Sequence, residues 1–170
     1  AITVDRTPVI TVPAAVTGAE GSPITVGLTA SDPDGQAIST LTADLSGLPA
    51  GNTATFTPNA GRTAGTLSWT PGYQDSGSYV VTFRAANGPA ATATTTIHVF
   101  NTDRAPVITA PLTGASAVDV PFSLTITAAD PDGDAIDALT ADLTGFPAAD
   151  HATFAPNGTN TGGTSSTNVS

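Results

Sequence analysis

The residues most able to do chemistry in this chain are aspartates grouped at a tight turn. Asp32 and Asp34 lie two positions apart in the sequence Asp-Pro-Asp-Gly, and the same tetrapeptide returns at 130–133, followed by Asp134. Clustered carboxylates at a turn are oxygen ligands of the kind that Ca²⁺ prefers. The same residues also fit a type I turn, which favours Asp first, Pro second and Gly fourth. The motif therefore has two interpretations, a calcium site and a plain turn.

The other reactive residue types give no catalytic set. The chain has no cysteine, which rules out thiolate nucleophiles and cysteine-based metal centres. His98 lies within the apolar sequence Ile97-His98-Val99 and His151 in a predicted loop, so neither is placed beside a nucleophile. The acidic residues cluster in turns open to water, whereas glycoside hydrolysis needs one carboxyl group in an apolar pocket. We therefore expect no enzymatic activity.

Charge and hydropathy exclude two further classes of partner. The 170 residues carry 14 acidic and 4 basic side chains, for a net charge of -10. Such a chain repels phosphate backbones and anionic lipid surfaces. No apolar run approaches the roughly 18 residues that a membrane span requires. We expect no nucleic-acid partner and no membrane insertion.

The composition also indicates the fold class. The chain contains 31 threonines but a single glutamate and no lysine. Threonine, valine and isoleucine favour strands, whereas helices are built mainly from Leu, Glu, Lys, Arg and Gln. An all-β fold is the prediction.

An internal repeat organises the chain. Residues 6–68 reappear at a constant offset of 98 without a gap. The sequence Arg-Thr-Pro-Val-Ile-Thr from Arg6 returns as Arg-Ala-Pro-Val-Ile-Thr from Arg104, and Leu-Thr-Ala-Asp-Leu from Leu41 returns unchanged from Leu139. A unit of about 98 residues has the size of a seven-stranded sandwich and is too long for a solenoid repeat.

Short alternating runs within the first copy predict its strands. In the clearest run, Tyr79, Val81, Phe83 and Ala85 share one face, which we expect to face the core. The large side chains Phe56, Leu67, Trp69 and Ile97 are further core candidates. Turn residues between the runs place the strands near 8–12, 23–30, 37–45, 53–57, 65–70, 78–86 and 92–100.

The predicted division of the chain follows the repeat. Residues 1–5 resemble the last strand of a preceding repeat, 6–103 form a complete repeat, 104–157 a partial second repeat, and 158–170 a polar tail. Counterparts of residues 73–100 are missing from the second copy. That copy would therefore expose unpaired strand edges and an open apolar face.

Three signatures in the sequence point to a family. Residues 75–79, Asp-Ser-Gly-Ser-Tyr, are similar to the Asp-x-Gly-x-Tyr corner of immunoglobulin-like folds, whose tyrosine hydroxyl bonds back to upstream backbone. Residues 28–35 are similar to the Ala-x-Asp-x-Asp strand end of cadherin-like repeats, and residues 101–106 to their Asp-rich, Ala-Pro-ended linker. The module thus resembles the bacterial immunoglobulin-like and cadherin-like repeats of large secreted and cell-surface proteins.

The resemblance implies tandem immunoglobulin-like (cadherin-like) Greek-key β-sandwiches, the second incomplete within this chain, at an extracellular or cell-surface location. By the same analogy, Glu20, Asp32 and Asp34 of one repeat would join Asp103 near the repeat boundary as calcium ligands. The second copy departs from this pattern, because Val118 stands where Glu20 would be. The full set of candidate Ca²⁺ ligands is Glu20, Asp32, Asp34, Asp103, Asp130, Asp132 and Asp134.

The sequence supports two classes of function. The favoured hypothesis is a non-catalytic structural repeat protein, part of a surface fibre, stalk or filament. Neighbouring copies would then be partners, with residues 1–4 of one chain completing the second repeat of the next, head to tail. A piece of a longer array explains the same sequence. The alternative is a calcium-dependent adhesin, or a module that binds carbohydrate or a receptor through Tyr73 and Phe146.

Overall fold

The computed structural model describes residues 4–168, which form twelve β-strands and one short 3₁₀ helix. The all-β prediction is therefore confirmed. No helix within that range is long and apolar enough to cross a membrane. The chain divides into two compact units between Thr102 and Asp103. The proposed donor strand at residues 1–4 falls almost wholly outside the described range.

Unit 1 is a sandwich of two four-stranded sheets. The first sheet has the strand order β1-β3-β6-β5 and the second β2-β8-β7-β4. All pairs are antiparallel except β2 and β8, which run parallel. The strands are β1 (Val9–Thr11), β2 (Ala15–Ala19), β3 (Ile24–Ser31), β4 (Thr40–Asp44), β5 (Thr55–Pro58), β6 (Ala64–Trp69), β7 (Gly77–Ala86) and β8 (Ala90–Phe100).

The core of unit 1 lies between its two sheets. Alternate residues of β3 and β6 are buried and exposed in turn, as expected for strands with one face on a core. The residues predicted to share the buried face of β7 do so, since Val81, Phe83 and Ala85 are fully buried and Tyr79 is half-buried. The predicted core residues Leu67, Trp69 and Ile97 are also buried.

A tyrosine corner fixes the start of β7. The Tyr79 hydroxyl donates a hydrogen bond to the Asp75 carbonyl at 2.9 Å, as the Asp-x-Gly-x-Tyr sequence predicts. The Tyr79 ring packs edge-on against Trp69, with ring centroids 5.4 Å apart. Burial raises the pKa of the Tyr79 phenol, and the nearby carboxylates of Asp75 and Glu20 act in the same direction.

Strand β2 was not predicted. Its sequence, Ala-Val-Thr-Gly-Ala, has few large apolar residues and no clear alternation. It forms a strand because it lies along β8, with Ala15 opposite Thr96 and Ala19 opposite Phe100. A parallel partner some 80 residues away leaves no local signal in the sequence.

Unit 2 forms one sheet, with the strand order β11-β12-β10-β9. Its register repeats that of the first sheet of unit 1 at the offset of 98, so that the pair Ile24 and Trp69 becomes Phe122 and Thr167. The strands are β9 (Val107–Thr109), β10 (Pro121–Ala129), β11 (Thr153–Pro156) and β12 (Gly162–Asn168).

The last strand of unit 2 corrects one boundary drawn from the sequence. Strand β12 lies inside residues 158–170, which we assigned to a polar tail, and it pairs with both β10 and β11. The repeat therefore continues in backbone register through Asn168. Strand pairing uses backbone groups, so the loss of apolar side chains in this segment did not prevent it.

Candidate functional site

The two Asp-Pro-Asp-Gly segments form turns at the end of β3 and of β10. We call residues 32–36 and 130–134 the entry turns. The Gly35 amide donates to the Asp32 carbonyl at 3.1 Å, and the Gly133 amide to the Asp130 carbonyl at 3.2 Å. Both glycines have positive φ values, 78° and 83°, which glycine adopts without steric cost. The two segments thus have the turn geometry that the Asp-Pro-Asp-Gly sequence predicts.

The first aspartate of each entry turn holds the turn together. Asp32 Oδ1 accepts the backbone amides of Asp34 at 2.8 Å and Gln36 at 3.1 Å, while its Oδ2 accepts the Asn87 amide at 2.8 Å. In the second turn, Asp130 Oδ1 accepts the backbone amides of the residues at 132 and 134. Both oxygens of Asp32, and Oδ1 of Asp130, are therefore engaged within the protein.

The second aspartate of the first entry turn binds Arg6, which the sequence marked only as the start of the repeat. Arg6 donates its backbone amide to Asp34 Oδ2 and its Nε to Asp34 Oδ1, both at 2.7 Å. Its Nη2 lies 2.6 Å from Oδ1 and donates to the Pro33 carbonyl at 2.7 Å. The guanidinium thus donates hydrogen bonds to both the Asp34 carboxylate and the turn backbone.

The same contacts recur in unit 2 with the same distances. Arg104 donates its amide to Asp132 Oδ2 and its Nε to Oδ1 at 2.7 Å, and its Nη2 donates to the Pro131 carbonyl at 2.7 Å. The Asp132 side chain is 4% exposed, against 26% for Asp34. Because the same contacts occur in both copies, the arginine–aspartate pair is a structural feature of the repeat.

These hydrogen bonds dominate the electrostatics of the entry turns. The side-chain hydrogen bond from Arg6 holds the pKa of Asp34 below its usual value, and the one from Arg104 does the same for Asp132. The Asp34 carboxylate in turn raises the pKa of Arg6. Desolvation acts to raise the pKa of Asp32, but hydrogen bonds from Gln36, Asn87 and Asp34 outweigh it and the pKa is lowered.

The structure does not bring the first-repeat calcium candidates together. Glu20 precedes β3 and Asp32 follows it, so eight residues of strand, about 26 Å, separate them. Among residues 4–168, no three His, Cys, Asp or Glu side chains are grouped to hold a metal ion. The calcium set inferred by analogy therefore does not form one site within unit 1, because its members lie at opposite ends of a sheet. Asp103 and Asp134 are exposed.

Glu20 has a structural role of its own. It is almost fully buried, and its carboxylate accepts the backbone amides of Ser76 at 2.6 Å and Thr102 at 3.0 Å. The Thr102 hydroxyl donates to the Glu20 carbonyl. A buried carboxylate is stable when backbone donors satisfy it. Glu20 thus joins the end of β2 to the segment that follows β8.

A serine and a histidine meet on the second sheet. Ser78 and His98 are cross-strand neighbours on β7 and β8, and Ser78 Oγ lies 2.8 Å from His98 Nδ1. Sequence analysis could not find this pair, because only the strand register brings the residues together. The pair is a side-chain contact across two hydrogen-bonded strands of the second sheet.

The two aromatic candidates for ligand binding are both exposed, Tyr73 at 40% and Phe146 at 43%. They belong to different units. The counterpart of Phe146 in unit 1 is Leu48, which is 7% exposed and part of the core. The exposure of Phe146 therefore follows from the single-sheet state of unit 2 and does not by itself indicate a ligand.

A two-sheet sandwich with a parallel β2–β8 pair and a tyrosine corner defines an immunoglobulin-like module. Residues 5–100 match the family described as bacterial Ig domain, and the chain belongs to that family. Members of this family are typically parts of secreted or surface proteins and are generally non-catalytic.

Several solved structures are similar to this chain. The SrpA adhesin of Streptococcus sanguinis is similar over 78% of this chain and 90% of its own, with 16% identity and a TM-score of 0.49. The GspB Siglec domain is similar over 58% of this chain and 60% of its own, with 11% identity and a TM-score of 0.44. A nucleoside hydrolase-related protein from Saccharophagus degradans, with 16% identity and a TM-score of 0.44, is covered over 26% of its length and 56% of this chain. No curated protein matches the sequence.

Proposed function

We propose that this chain is a non-catalytic structural part of an extracellular or cell-surface protein, and that its immunoglobulin-like module transmits mechanical tension. The observation that carries the proposal is the parallel pairing of β2 with β8. β2 is the second strand of the module and β8 is its last. They lie side by side and point the same way.

The parallel pairing of β2 with β8 places the bonds between them in shear when the module is pulled. A force applied through residues before β2 and after β8 pulls the two strands in opposite directions along their common axis. All five residue pairs from Ala15–Thr96 to Ala19–Phe100 are then loaded together. Hydrogen bonds loaded together must break together, whereas an antiparallel terminal pair would open one bond at a time.

Hydrogen bonds at both ends of β2 extend this contact. The Thr96 amide donates to the Ala14 carbonyl at 3.0 Å, and the Glu20 amide to the Phe100 carbonyl at 3.1 Å. The buried Glu20 carboxylate adds its bond to the Thr102 amide beyond the end of β8. These contacts support a role in which the module keeps its shape under load.

Force spectroscopy on the full chain, held by its two ends, tests the proposal. In a parallel ladder, the bonds that flank β2 place the amides of Val16 and Gly18 toward β8 and that of Thr17 away from it. Val16→Pro should therefore remove a ladder bond and markedly lower the force that unfolds unit 1. Thr17→Pro, the matched control, should leave that force nearly unchanged.

The control also separates mechanical from thermodynamic effects. Chemical denaturation followed by Trp69 fluorescence reports the stability of unit 1, because Trp69 is buried in its core. A rupture force that is low in the unsubstituted chain, or equal in the two proline variants, would contradict the tension-bearing role.

A further inference from the structure

In each entry turn, an arginine guanidinium contacts an aspartate that the sequence predicts as a candidate Ca²⁺ ligand. We infer that Arg6 and Arg104 act as built-in cations of the entry turns, so that each repeat anchors its first residues without calcium. This inference concerns the ion dependence of the module and goes beyond the proposed mechanical role.

In each entry turn, the arginine engages both carboxylate oxygens of the second aspartate, Asp34 or Asp132. It also donates to the preceding proline carbonyl. The guanidinium Nε and Nη2 both contact Oδ1, and the backbone amide of the same arginine donates to Oδ2. Hydrogen bonds between ionised partners are the strong ones. A Ca²⁺ ion needs six to eight oxygen ligands, and in these turns it would have to displace the arginine to obtain them.

The two arginines also have equivalent positions in the chain. Arg6 and Arg104 occupy the same place relative to β1 and β9, three residues before each strand begins. Each is fixed to a turn 28 residues away. The bond therefore ties the first residues of a repeat to the end of its first long strand, β3 in unit 1 and β10 in unit 2.

The two entry turns differ in charge. The first turn contains Asp32, Asp34 and the neutral Gln36, whereas the second contains three carboxylates within five residues. In both turns a single arginine contacts the cluster. If that arginine holds the cation position, its removal should leave uncompensated negative charge, and more of it in unit 2 than in unit 1. The second turn should then gain affinity for a divalent ion.

Isothermal titration of the full chain with CaCl₂ tests this inference. The unsubstituted chain should show no saturable heat, and its unfolding temperature should be the same in calcium and in EDTA. Arg104→Gln should gain saturable binding, with a Kd of about 0.1–1 mM, as in extracellular calcium modules. Arg6→Gln should gain less, because its turn has one carboxylate fewer. MgCl₂ should bind more weakly, since Mg²⁺ dehydrates reluctantly.

A double substitution provides the matched control. Asp132→Asn added to Arg104→Gln should abolish the gained binding, because one of the three carboxylates is removed. Amide hydrogen exchange of β10 shows whether unit 2 keeps its fold in each variant. Saturable calcium binding by the unsubstituted chain, or a rise in its unfolding temperature with calcium, would overturn the inference without any variant. Folded Arg104→Gln that binds no calcium would also overturn it.

Discussion

The sequence Leu-Thr-Ala-Asp occurs twice in this chain and has two different structures. At residues 41–44 it belongs to β4, which pairs with β7 in the second sheet of unit 1. At residues 139–142 it forms no strand. Among the described residues of unit 2, all strands belong to the sheet β11-β12-β10-β9, and none of them pairs with residues 139–142. Identical residues thus become a strand only where a partner strand is present.

The same rule explains which part of unit 2 does fold into a sheet. Strands β9, β10, β11 and β12 pair only with one another, as β1, β3, β5 and β6 do in unit 1. In unit 1, β2 pairs with β8. Residues 113–117 of unit 2 correspond to β2, and without a counterpart of β8 beside them they form no strand. Backbone pairing within one sheet is therefore enough to reproduce its register, but it does not build the core.

The inner faces of the matching sheets show what is lost. In unit 1, Ile24, Val26 and Leu28 are at most 4% exposed, whereas their counterparts Phe122, Leu124 and Ile126 are only half-buried. On the neighbouring strand, Leu67 and Trp69 are replaced by Ser165 and Thr167. Unit 2 has fewer large apolar side chains on this face and lacks a second sheet to cover them. Since burial of such side chains is the main source of stability, we expect unit 1 to be much the more stable.

The largest expected effect comes from the pair Trp69→Ala and Thr167→Ala. Trp69 is buried among side chains of both sheets, so its truncation should cost unit 1 about 3–5 kcal/mol. Thr167 only donates a hydrogen bond to the Asp150 carbonyl, at 2.8 Å, and its loss should cost about 1 kcal/mol. Urea denaturation followed by circular dichroism measures both. Equal losses of stability from the two substitutions would contradict the difference proposed between the units.

A glycine pair gives the next largest difference. A Cβ on Gly65 would collide with the Phe56 ring, and one on Gly163 with the Phe154 ring. Phe56 also packs against Phe83 of the second sheet, with ring centroids 5.5 Å apart. Gly65→Ala should therefore displace a ring held between two sheets, at a cost of about 1–3 kcal/mol. Gly163→Ala should cost less, because Phe154 belongs to the single sheet of unit 2 and is not held between two sheets. Urea unfolding midpoints measure both costs. A larger decrease for Gly163→Ala than for Gly65→Ala would contradict the prediction.

Removing one buried hydroxyl should stabilise unit 1. Thr95 is fully buried in the second sheet, and its Oγ1 is among the buried side-chain atoms that have no hydrogen-bond partner within the described range. Thr95→Val replaces the hydroxyl by a methyl group of similar size. We expect a gain of about 1 kcal/mol, since the desolvation of an unpaired polar group is relieved. A lower unfolding midpoint in the variant would show that the hydroxyl has a partner in solution.

The smallest expected effect concerns acid. Because the pKa of Asp34 and of Asp132 is lowered in the folded chain, their contribution to stability is complete above the unfolded value of about 3.9 and is lost as the pH falls through the folded value. Asp34→Asn and Asp132→Asn should each flatten the fall in stability below pH 4. Urea midpoints at pH 7 and pH 3 measure the slope, and an unchanged slope in both variants would contradict the assignment.

Much of the fold could be predicted from the sequence, for identifiable reasons. The 98-residue offset, the alternation around Val81 and the Asp-x-Gly-x-Tyr corner are local patterns, and they led to the sandwich and its core. Strand β2 could not be predicted, because its only signal is a distant parallel partner. Strand β12 was missed because polar side chains concealed a backbone pairing.

The candidate site was predicted less well than the fold. The aspartates were predicted as site residues, but their arginine partners were not, because Arg6 and Arg104 lie 28 residues away from them in the sequence. A signal was nonetheless present. Arg6 and Asp34 recur as Arg104 and Asp132 with the same separation of 28 residues. Pairs of opposite charge that recur together in an internal repeat indicate contact.

Amide hydrogen exchange on the intact 170-residue chain tests most directly whether a second sheet is what separates the two units. We predict that amides of β3 and β6 exchange only when unit 1 unfolds as a whole, while those of β10 and β12, in the same register, exchange orders of magnitude faster through local opening. Equal protection of the two sheets would contradict the account, because it would mean that one sheet of this repeat is stable without the other.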